Sequence, residues 1–130
     1  MKVNIKTILG LLAATLLLFI GTLWMGNYLN KSSSSMLEKV KKIELNLLQN
    51  DLKSAVKNAE ELNEEWKELE DKWNLLTNHH EIDNITTSLK NTIEFIKFND
   101  IPNSMANLES LRHYIEHIPE MEKPNSRNIL

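Results

Sequence analysis

The sharpest chemical motif in this 130-residue chain is His113-Tyr114-Ile115-Glu116-His117, the H-x-x-E-H form of inverted zinc peptidases. Two histidines four apart on a helix can hold one zinc ion while the glutamate between them activates water. Such a centre also needs a third ligand and a cleft, and only Glu120 and Glu122 follow it. On a helix, moreover, His113 and His117 lie nearly opposite the stripe of Leu111, Ile115 and Ile118, so the spacing turns them towards solvent. Hydrolytic chemistry is therefore the least favoured of three functional readings.

A second group, His79, His80, Glu81 and Asp83, would share one pole with His113 and His117 if the helices alternate up and down. Together they could bind a transition metal or respond to pH near the histidine pKa. Partly exposed histidines at a helix turn are the plainer reading. No cofactor is expected, because the chain has no glycine-rich phosphate loop, no thiol and no convincing serine–histidine–acid set.

Trp66 and Trp73 are the third candidate, one heptad apart. Tryptophan buries a large area but wants a partner for its N–H, which makes core packing the default; a docking surface for another helix is the alternative. The acidic residues around them, from Glu60 to Asp71, lack the loop spacing of a calcium site and read as solvated helix surface.

These residues need helices to position them. Ala59, Leu62, Trp66, Leu69, Trp73 and Leu76 follow one another in steps of three and four, one stripe of an α-helix. The same alternation extends backwards through Ala55, Leu52, Leu48 and Leu45. Glycine occurs only at positions 10, 21 and 26, and no useful stretch alternates with a period of two. The expected fold class is all-α: one N-terminal transmembrane helix followed by a small antiparallel bundle of about four helices, arranged as two tandem hairpins.

From Ile8 to Met25 no residue is charged, a length close to the thickness of a bilayer's hydrocarbon. Trp24 and Tyr28 sit where interfacial aromatics belong, and Lys2 and Lys6 precede the run. A retained signal anchor is favoured over a cleaved signal peptide, since Leu23, Trp24, Met25 and Tyr28 make a poor peptidase site. A buried apolar helix is the remaining alternative. With no cysteine in the chain there is no lipoprotein anchor and no disulfide.

Lys31, Lys39, Lys41 and Lys42 oppose the orientation that Lys2 and Lys6 favour. Long domains nevertheless translocate largely regardless of charge, so the expectation is a cytoplasmic N-terminus and an extracytoplasmic domain. Beyond the anchor, thirteen basic residues face eighteen acidic ones, a net charge of about −5. That balance argues against nucleic acid as a partner and against adhesion to anionic headgroups.

The expected division is 1–30 anchor, 31–35 serine-rich spacer, through which the membrane helix could also run, 36–118 bundle and 119–130 tail. Ser35 and Glu38 have the capping-box form, which would start the first bundle helix at Met36 and turn Leu37, Val40, Ile43, Leu47 and Leu48 inward. The Asn50-Asp51 pair recurs as Asn99-Asp100, and Asn58, Glu60 and Leu62 recur 49 positions on as Asn107, Glu109 and Leu111. This weak repeat favours a break at Asn50. Further helices are expected over 51–78, from Ile82 to Phe98, and from Pro102 to Ile118, where Pro119 would stop the last.

The lone anchor, the two spaced tryptophans, the His80-Glu81-Ile82-Asp83 run and the closing Asn128-Ile129-Leu130 together carry a resemblance. The chain resembles the small membrane-anchored proteins grouped as domain of unknown function 4363, found in Gram-positive, largely spore-forming bacteria. The resemblance implies a helical protein at a bacterial membrane and brings no catalytic residues with it. The leading functional expectation is a non-enzymatic single-pass protein whose bundle binds a protein partner in the cell envelope. The alternative is a sensory or metal-binding bundle using the two histidine groups.

Overall fold

Asn4 opens the first helix by accepting the Lys6 N–H on its side-chain oxygen, and that helix does not end until Leu48. The computed structural model describes residues 4–121. They form α1 (Ile5–Leu48), α2 (Leu52–Asn74), α3 (His79–Lys97) and α4 (Ile101–Met121), with no strand among the described residues. Expectations that rest on Lys2, Glu122, Pro124 and Asn128 to Leu130 fall outside them.

The forty-four residues of α1 divide into two halves. None of the residues from Ile5 to Trp24 is buried, and the half is long and apolar enough to cross a membrane. Its two threonines satisfy themselves within the helix, Thr15 donating to the Leu11 carbonyl and Thr22 to that of Leu18. Internal satisfaction of that kind is what a hydrocarbon environment demands. From Leu29 onward the same helix buries a stripe of Leu29, Ser32, Ser33, Met36, Val40, Ile43 and Leu47.

The serine run is therefore helix, not spacer, and no cap starts at Ser35. Ser35 instead donates to Glu65 Oε1 at 2.7 Å, across to α2. Ser32 and Ser33 turn into the core, because their short side chains fit where helices approach closely and their hydroxyls find acceptors.

Two of the three connections are copies of one another. Asn50 and Asn99 both take left-handed backbone, with φ of 57° and 59°. After each, the next amide reaches back to close the helix end: Asp51 N–H to the Asn46 carbonyl at 2.8 Å, Asp100 N–H to that of Phe95 at 2.9 Å. Each aspartate then caps the following helix, Asp51 accepting from the Ser54 N–H and Asp100 from the Asn103 N–H, both at 3.1 Å. The weak repeat in the sequence is thus a repeat in space. Val40, Ile43, Leu47, Ala59, Leu62 and Trp66 are buried, and so are their counterparts 49 residues on: Leu89, Thr92, Ile96, Leu108, Leu111 and Ile115.

The third connection comes earlier than the run of poor helix formers suggests. α2 ends at Asn74 and the turn occupies residues 75–78. Asn78 belongs to the next helix as its cap, accepting the His80 N–H at 3.0 Å, so His79 and His80 begin α3.

The four bundle segments stand antiparallel at the corners of a square, each packed against its two sequential neighbours and α4 closing back on α1. α2 and α4 sit at opposite corners. α4 is flanked by α1 and α3, not by the long central helix. The backward extension of the α2 stripe is corrected. Leu45 and Leu48 are exposed while Ile43 and Leu47 face the core, because the break at Asn50 resets the helical phase.

α4 passes through Pro119 and ends at Met121. The missing N–H of Pro119 leaves the Ile115 carbonyl without its helical partner. Ser33 Oγ donates to that carbonyl at 3.0 Å from α1, so the proline does not end the helix.

Candidate functional site

Trp66 and Trp73 are almost wholly buried and meet edge to face, ring centroids 5.5 Å apart. Each indole N–H finds a partner on a different helix. Trp66 Nε1 donates to Thr86 Oγ1 of α3 at 2.8 Å, and Thr86 in turn donates to Glu70 Oε1 at 3.0 Å. Trp73 Nε1 donates to Ser32 Oγ of α1 at 3.0 Å, and Ser32 donates to the Tyr28 carbonyl at 2.8 Å. α2 is thereby tied to both its neighbours through the two largest side chains of the core. The tryptophans are internal packing and leave no face for another helix.

Trp73, Ser32, Ser33 and Ile115 lie at the pole from which the apolar half of α1 emerges. Tyr28 packs onto this end of the core and stacks on Trp24 one turn deeper, centroids 5.8 Å apart. The start of α3 and the end of α4 reach the same pole, so all four histidines gather at this end of the bundle. They do not converge. His113 and His117 stack on each other at 5.7 Å on an exposed face of α4. His79, His80 and Asp83 are exposed on the first turns of α3, where His79 Nδ1 lies 2.9 Å from Asn74 Oδ1. Among the described residues no three histidine, aspartate or glutamate side chains are grouped as a metal donor set.

A groove of about 940 Å³ runs along α2 and α3, lined by Lys57, Glu61, Glu64, Glu68, Lys90 and Glu94 among others. Lys97 spans it to Glu60 at 3.0 Å. Six glutamates against four lysines leave it acidic, and it holds no histidine or hydroxyl nucleophile. On the opposite side, between α4 and α1, Arg112 donates to Glu44 Oε2 at 2.7 Å. That hydrogen bond, reinforced by the charges of Glu44, Glu109 and Glu116, makes the guanidinium hold its proton more firmly than usual.

A family model described as Domain of unknown function (DUF4363) matches residues 23–129. The chain belongs to the DUF4363 family. The match begins just before Trp24 and takes in all four bundle segments. No curated protein and no solved structure matches the chain.

Sequence reasoning missed the polar joints of this pole. Ser32 and Ser33 carried the signal of low complexity, and Pro119 that of a helix stop. Their shared role shows only when proline and serine are asked where the freed carbonyl finds a donor.

Proposed function

We propose that this DUF4363 protein is a non-enzymatic, single-pass membrane protein. Its extracytoplasmic bundle works as a protein-interaction or structural module of the cell envelope. The observation that carries the reading is the continuity of α1, in which an exposed apolar half, uncharged after Lys6, and a bundle-forming half are one helix. A bundle joined to its anchor without a flexible joint has a fixed position relative to the membrane, which suits a scaffold. His113, Glu116 and His117 of the H-x-x-E-H motif stand on an exposed helix face outside the α2–α3 groove, which supports a non-enzymatic role.

The test is in-cell crosslinking followed by affinity purification from detergent at native abundance. One protein recovered reproducibly, and lost when exposed residues of the bundle are substituted, is the expected result. Recovery of nothing beyond the tagged chain would overturn the interaction role.

A further inference from the structure

We propose that the α2–α3 turn is a lipid contact, with Leu75 entering the interfacial layer of the bilayer that α1 crosses. The inference rests on the anchor reading given above and extends it from one helix to the lower surface of the bundle.

Leu75 is 85% exposed, the most exposed large hydrophobic side chain among the described residues and more so than any in the apolar half of α1. It ends α2 at the pole from which that half emerges. Its height follows from the hydrogen bond of Trp73 to Ser32, which sets those two residues side by side. At the rise of an α-helix, Leu75 stands about 3 Å nearer the membrane than Trp73, level with the stretch of α1 just after Tyr28. Trp24, eight residues before Ser32, lies about 12 Å deeper than Ser32 along the axis.

Trp24 and Tyr28 are the stacked aromatic pair at the end of the apolar run, where such side chains mark the headgroup layer. A leucine about 3 Å above Tyr28 therefore stands at the upper edge of that layer. The usual tilt of a membrane helix would press one side of the bundle further down.

Chemistry agrees with position. Between Lys72 and Glu81 the chain has no aspartate, glutamate, lysine or arginine. The turn presents Leu75 beside half-buried Leu76 and Thr77, a neutral tip suited to zwitterionic lipid and indifferent to anionic headgroups. The other exposed apolar residues of the bundle, Leu45, Leu48 and Phe98, lie towards the far pole, beyond reach of the bilayer.

The experiment uses the full chain, which has no native cysteine, in phosphatidylcholine vesicles. Single cysteines replace Leu75, Leu48 or Leu17 and carry an environment-sensitive fluorophore. The label at Leu75 should emit to the blue of the label at Leu48, be quenched by lipid bearing a nitroxide near its headgroup, and largely escape aqueous iodide. Leu48, exposed and apolar at the far pole, controls for any affinity of the dye itself for lipid. A Leu75 label that behaves like the Leu48 label, while the Leu17 label is quenched by a deep nitroxide, overturns the lipid contact and leaves the anchor standing. A Leu17 label in water overturns both.

Discussion

The Ser33 hydroxyl donates to the Ile115 carbonyl at 3.0 Å, and that carbonyl is the one that Pro119 deprives of its helical donor. Serine on α1 and proline on α4 are therefore one feature divided between two helices. Ser33→Ala should leave the buried carbonyl unpaired and cost about 1–3 kcal/mol. Pro119→Ala restores an N–H four residues on, so in the Ser33→Ala background it should recover much of that loss. Chemical unfolding of the four chains in detergent, followed by circular dichroism, measures the coupling. Additive effects would show that the carbonyl is satisfied some other way.

The two hairpins were legible in the sequence because their turns repeat. Asn50-Asp51 and Asn99-Asp100 put asparagine where left-handed backbone is needed and aspartate where a cap is needed, and the apolar stripes kept phase on either side. Leu45 and Leu48 misled because heptad spacing carried them across a break that resets the phase. The serines misled for a different reason. A run of four reads as spacer by composition, whereas Ser32 and Ser33 satisfy their hydroxyls in the core, on the Tyr28 and Ile115 carbonyls. Ser32 and Ser33 sit on the buried stripe of α1, but hydroxyls do not register in a pattern of apolar residues. At the site, periodicity sufficed to make Trp66 and Trp73 core, and antiparallel order to bring the histidines to one pole. Whether the histidines converged depended on helix rotation, which spacing within one helix does not define.

Asn50 and Asn99 should respond alike to substitution. Alanine at either position pays the left-handed penalty of an ordinary side chain, about 1–2 kcal/mol, whereas glycine takes the conformation freely. Thermal unfolding should therefore rank Asn50→Gly at or near the wild type and Asn50→Ala clearly below it, with Asn99 showing the same order. A large effect at one turn and none at the other would mean that the hairpins are not equivalent.

The hydrogen bonds from the Ser54 side chain and backbone hold the Asp51 carboxyl below the usual carboxylate range. A depressed folded-state pKa adds stability that is present above the unfolded value and lost as pH falls through the folded one. The melting temperature should accordingly drop as the pH is taken below about 4. Asp51→Asn keeps a capping oxygen but cannot titrate, so it should flatten that part of the profile. An unchanged acid limb in Asp51→Asn would assign the loss to other carboxylates.

Helix or spacer at residues 31–35 is decided by proline. Ser34 is exposed, so Ser34→Pro removes no packing; its cost comes from the backbone alone. Within a helix that cost is about 3 kcal/mol or more, through the lost hydrogen bond and the clash with the preceding turn. A flexible connection would absorb the same change with no shift in the unfolding midpoint. A clear fall is expected, together with loss of the blue-shifted emission of a label at Leu75, since the kink would free the bundle from its height above the membrane.

Orientation is the last quantity on which the envelope role depends, and the fold selects where to read it. Ser33 is unsuitable for a reporter cysteine, being buried and bonded to Ile115. Lys53 is exposed at the start of α2, on the far pole, and Asn4 is exposed at the other end of α1. With an impermeant thiol reagent on intact cells, Lys53→Cys should be labelled directly and Asn4→Cys only after lysis. The lysines flanking the apolar run oppose each other, so charge alone leaves a small bias. The expectation of an outside bundle rests on the tendency of long domains to translocate largely regardless of charge. Labelling of Asn4→Cys before lysis, with Lys53→Cys protected, would reverse the assignment and move the bundle to the cytoplasmic face.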